Sequence, residues 1–147
     1  MTRTLRLLAA LALLAPLLGP AARAQDEPAA RWDQTRVTAY AKELAQAAKE
    51  LHDALDSMPD QVVPAHQRAF YQARDDVRML ERAAEGFAKE LEAGASKAEV
   101  APRFARIQSL RRSAEENGRK ALIPDAVMAK ITPVGGALIK LAPYFRE

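Results

Sequence analysis

The feature that most constrains this chain is a run of apolar residues, Phe70, Ala73, Val77, Leu80, Ala84, Phe87 and Leu91, spaced alternately by three and four positions. With 3.6 residues per turn, that spacing returns every side chain to one face of an α-helix. A strand has a period of two and would scatter the same residues over both faces. Gly94 follows where a helix of this length ends in left-handed backbone. One long apolar face must be covered by others, so the run predicts a helical bundle.

The remaining segments supply the covering faces. Val37, Tyr40, Leu44, Ala47, Leu51, Leu55 and Met58 repeat the spacing and predict a helix over residues 33–58, stopped by Pro59. Ser96-Lys97-Ala98-Glu99 has the form of a capping box and predicts the start of a third helix. Its apolar line is Val100, Phe104, Ile107, Leu110 and Ala114, with a kink expected at Pro102 and an end near Asn117-Gly118. After Pro124, the positions Val127, Ile131, Val134, Leu138, Leu141 and Phe145 keep helical spacing while Pro133 and Gly135-Gly136 interrupt it. Two short helices, or a helix plus an extended tail, are as compatible with that pattern as one rod.

The predicted fold is therefore all-α, an up-down bundle of three long helices plus a broken fourth C-terminal helix, formed by residues 32–147 as one domain. Residues 25–31 are expected to be a disordered lead-in. Residues 32–60 hold three basic and six acidic groups, and residues 96–120 hold seven basic and three acidic. Helices one and three thus carry opposite excess charge and would attract if adjacent, while local pairs such as Glu99 with Arg103 and Glu85 with Lys89 account for the same residues as a solvated surface.

The N-terminus has a different character. Arg3 and Arg6 precede an apolar run over residues 7–18, followed by Gly19, Pro20 and the small residues Ala22 and Ala24 flanking Arg23. This is the plan of a Sec-type secretory signal peptide, residues 1–24, with cleavage expected after Ala24. A membrane anchor needs roughly 20 apolar residues, and this run is shorter and carries Pro16. The expected location is the periplasm or the exterior. The segment takes three arginines and no acid with it, leaving 19 basic against 19 acidic residues. A charge-neutral mature chain gives no general attraction to nucleic acid or to an anionic membrane. Cysteine is absent, so stability in an oxidising compartment must come from the core.

No catalytic motif is present: there is no thiol nucleophile, Gly-x-Ser-x-Gly elbow, His-Glu-x-x-His helix or phosphate-cradling glycine loop. The chain reads as a non-enzyme. Ser57 and Ser96 fall at helix ends, where capping explains them. One constellation bears weighing, His52, Asp53, Asp56, Met58, Asp60 and His66, around the turn between the first two helices. His52, Asp56 and His66 are candidate ligands for a divalent metal, since imidazole with carboxylate suits such ions. Against this, His52 lies on a helix flank and His66 on the Phe70 stripe, where a histidine bonding a backbone carbonyl is the simpler account. His66 with Met79 or Met128 is the corresponding candidate for b-type haem held between helices. Two classes of function follow. In the first, the chain is a non-catalytic interaction or accessory protein of the cell envelope, with Val134, Leu138 and Leu141 as candidate partner-binding residues if the last segment is a docking arm. The same three residues close the core if it is a fourth helix. In the second, the chain binds a metal or haem through His52 or His66.

Overall fold

The computed structural model describes residues 29–58 and 63–146. The segment expected to be a signal peptide (1–24), the first part of the expected lead-in (25–28), Pro59 and Asp60 lie outside the described residues. Among the described residues the helices are α1 (Gln34–Asp56), α2 (Gln67–Glu92), α3 (Lys97–Lys120), α4 (Asp125–Met128) and α5 (Ile131–Phe145), with a 3-10 turn (Pro64–His66) before α2. The molecule is an all-α bundle in which α4 and α5 form the broken fourth member.

Helices α1 and α3 are each started by a capping side chain. Asp33 has extended backbone and accepts the Arg36 amide at 3.0 Å. At α3, Glu99 reaches back to accept the Ser96 amide and hydroxyl, both at 2.7 Å. Helix α2 ends in a Schellman turn, with Gly94 at φ 89° and the Ala95 and Gly94 amides returning to the Glu90 and Leu91 carbonyls. Helix α3 ends identically, Ile123 to Gly118 and Leu122 to Arg119, but the left-handed position is occupied by Leu122 at φ 55°. Helix α3 also runs through Pro102, which faces solvent, so water can take up the Ala98 carbonyl that the proline leaves unbonded.

The break in the fourth member differs from the sequence expectation. It falls at Ala129 and Lys130, and α5 then passes through Pro133 and Gly135-Gly136 without interruption. Pro133 is the third residue of α5, where an amide has no intrahelical partner to lose.

The core is one cluster. Phe70, Ala73, Val77, Leu80, Ala84, Phe87 and Leu91 are all buried, and so are Val100, Phe104, Ile107 and Ala114 of α3. Each fully buried Leu or Phe contributes about 1.5–3 kcal/mol. Val134, Leu138 and Leu141 are 0%, 6% and 0% exposed, so these three are core residues and do not form a docking arm. Asp125–Phe145 is apolar enough, by length and composition alone, to cross a membrane; in the bundle its α5 part lays Val134, Ala137, Leu138, Leu141 and Tyr144 against the other helices.

In the helix packing, α1 lies against α2 and α5, and α3 against α2 and α5. Helices α1 and α3 therefore sit on a diagonal, so their opposite excess charges do not meet as neighbours. Exposed ion pairs, at about 0–1 kcal/mol each, are too weak to choose neighbours against apolar faces and short connections. One end of the bundle is aromatic. Trp32 meets Phe145 edge-on at 5.6 Å, Phe145 stacks on Phe104 at 4.2 Å, and Phe87 touches both phenylalanines. There Ala30 donates its amide to the Pro143 carbonyl at 2.9 Å, so the lead-in is held from Ala30 onward.

Candidate functional site

The candidate ligands do not converge. His52 lies between two carboxylates: its Nδ1 is 2.5 Å from Glu81 Oε2 on α2, and its Nε2 is 3.3 Å from Asp56 Oδ2 one turn along α1. Asp56 in turn accepts from Arg74 Nε at 2.8 Å. Each ring nitrogen faces a carboxylate, and a metal at His52 would have to displace the one beside the nitrogen it took. The arrangement is an α1–α2 tie. Glu81 gave no signal in the sequence beyond its place beside Leu80, as His52 stands beside Leu51.

His66 is elsewhere. Its Nδ1 lies 3.0 Å from the Lys120 carbonyl, one of the orphan acceptors at the C-terminus of α3. The ring ties the start of α2 to the end of α3, and His52, Asp56 and His66 share no site. Among the described residues no group of three metal-ligating side chains is assembled. The haem alternative fails on space and direction. Met79 is on the outer surface, and Met128 presses its sulfur towards Gly118. The apolar cavity beside Met128, lined also by Leu51, Leu55, Val77 and Ile131, is about 10 Å³. That volume scarcely admits one water.

Other polar residues serve as helix ties. Asp76 Oδ2 accepts from Ser113 Oγ and Asn117 Nδ2, both at 2.8 Å, joining α2 to α3. Gln34 Nε2 donates to the Leu91 carbonyl at 2.7 Å, capping α2 from the start of α1. Among the described residues, no buried side-chain nitrogen or oxygen lacks a partner.

A concavity lies on the outer seam of α2 and α3, an open groove of about 820 Å³. It is lined by Met79, Arg82, Ala83 and Glu90 from α2 and by Glu99, Pro102, Arg103 and Arg106 from α3. Arg103 does not pair with Glu99, the local partner expected from sequence. It crosses to α2 and grips Glu90 through two parallel bonds, Nε to Oε2 at 2.9 Å and Nη2 to Oε1 at 2.5 Å. Glu99 is taken by Ser96, whose hydroxyl and then whose amide hold the Glu99 carboxyl below its ordinary pKa. Arg82 and Arg106 have no ion-pair or hydrogen-bond partner among the described residues. The sequence did not single out this groove, because its residues come from two helices and each alone resembles ordinary surface.

Compared with protein-family models, curated proteins and solved structures, the chain matches none.

Proposed function

We propose that the chain is exported through its N-terminal signal segment, is cleaved after Ala24, and acts in the cell envelope as a non-catalytic interaction protein whose contact surface is the α2–α3 groove. The observation that carries this reading is the pair of unpaired arginines, Arg82 on α2 and Arg106 on α3, that line one groove together with Met79, Ala83 and Pro102. Arginine beside exposed methionine is the composition of binding surfaces. The polar groups at His52, His66, Asp76 and Gln34 are spent on holding helices together, which supports a binding role over a catalytic one.

Two measurements test the proposal. Mass spectrometry of protein from the periplasmic fraction should find a chain beginning at Gln25; one beginning at Met1 in the membrane fraction overturns export. A photo-crosslinking residue in place of Met79 should yield an adduct of one defined mass in exporting cells, and the same residue in place of Glu50 on α1 should not. No adduct at position 79, or equal adducts at both positions, overturns the groove as the contact surface.

A further inference from the structure

The charge left over in the groove identifies what it takes. Glu90 is neutralised by the fork of Arg103, and Glu99 is committed to the N-terminus of α3. What remains uncompensated is positive and comes from both helices, Arg82 on α2 and Arg106 on α3, in a lining shared with Met79, Ala83 and Pro102. We propose that this groove binds an acidic segment of a partner protein, in which carboxylates reach Arg82 and Arg106 while an aliphatic side chain between them rests on Met79 and Pro102. This rests on the reading of the groove as the contact surface and adds the chemistry of the partner.

The geometry favours a peptide over other anions. A lipid surface is flat and does not enter a furrow between two helices. Arginine also suits carboxylate, because its planar fork matches the two oxygens. Gly86 makes room for Arg103, since a Cβ there would stand 2.7 Å from Arg103 Nη1.

The test is fluorescence anisotropy of a short labelled peptide of alternating glutamate and leucine, titrated with the purified protein beside a lysine and leucine peptide of the same length. The acidic peptide should bind, more weakly as salt rises, and the basic one should not. Arg82→Gln with Arg106→Gln should weaken binding about tenfold or more, whereas Arg112→Gln on the α3–α5 side should leave it within about twofold, since only contacting charges matter strongly. Circular dichroism checks that helicity is retained. Equal binding of both peptides, or unchanged binding by the double variant, overturns the proposal. So does displacement of the peptide by inorganic phosphate, or loss of anionic-vesicle binding in the same double variant, because either outcome assigns the arginines to a phosphate group. If position 79 still crosslinks in cells while the acidic peptide fails to bind, the groove remains an interface and only the acidic partner is excluded.

Discussion

The Arg103 guanidinium lies over the backbone of Gly86, and a Cβ at Gly86 would stand 2.7 Å from its Nη1. Glycine in the middle of a helix costs about 1 kcal/mol relative to alanine. Here the missing side chain is what lets Arg103 cross from α3 to Glu90 on α2. Gly136, inside α5, has nothing within 4 Å of a built Cβ.

The two glycines should therefore respond differently to alanine. Gly136→Ala is expected to raise stability by about 1 kcal/mol. Gly86→Ala should gain less or lose, because Arg103 must leave its fork, and the gain should return in an Arg103→Ala background. Urea midpoints of the three variants and of the double variant measure this, and equal gains at both glycines would show that the Arg103 contact is energetically idle.

Leu80 and Phe87 are fully buried, so Leu80→Ala and Phe87→Ala should each cost about 2–5 kcal/mol. Helical spacing alone puts Asp76 on the outer side and predicts a negligible cost for Asp76→Ala. The structure predicts about 1–3 kcal/mol instead, since Ser113 Oγ and Asn117 Nδ2 would lose their common acceptor. Denaturant unfolding of Asp76→Ala discriminates between the two expectations.

Leu122 occupies the left-handed position that Gly94 fills at the end of α2, and it is 70% exposed. A non-glycine residue there costs about 1–2 kcal/mol, with little burial to repay it. Leu122→Gly should raise the thermal midpoint. A lower midpoint would show that the leucine makes a stabilising contact.

Glu99 gives the start of α3 a pH dependence. Bonds from the Ser96 hydroxyl and amide lower its folded pKa, so its contribution is complete above the unfolded carboxylate value and disappears as pH falls through the lower folded one. Hydrogen exchange at the Ser96 amide, which the Glu99 carboxyl accepts, should quicken below the ordinary carboxylate range, and Glu99→Gln should remove that acid dependence. Exchange that stays pH-independent after correction for its intrinsic rate would exclude the cap as the cause.

The helices were legible because their apolar spacing is regular, and the exact burial of Phe70 through Leu91 follows from it. The break in the fourth member was misplaced because Pro133 and Gly135-Gly136 resemble interruptions, while in a first turn proline is harmless and glycine costs only modestly. Neighbour relations were not legible from charge. His66 was readable as a carbonyl-bonding residue, and its acceptor proved to be Lys120. Arg82 and Arg106 were invisible as a pair, since only the packing of α2 on α3 sets them in one groove.

The bond from the Ala30 amide to the Pro143 carbonyl gives the molecule almost the topology of a ring. A short linker from residue 146 back to residue 29 would close it, and cutting the chain at the exposed Gly94 turn would open it again with α3 leading. Every interhelical interface would survive such a rearrangement, at the cost only of redistributed loop-closure entropy. The bundle is specified by which faces meet, and the point at which the chain begins is incidental to it.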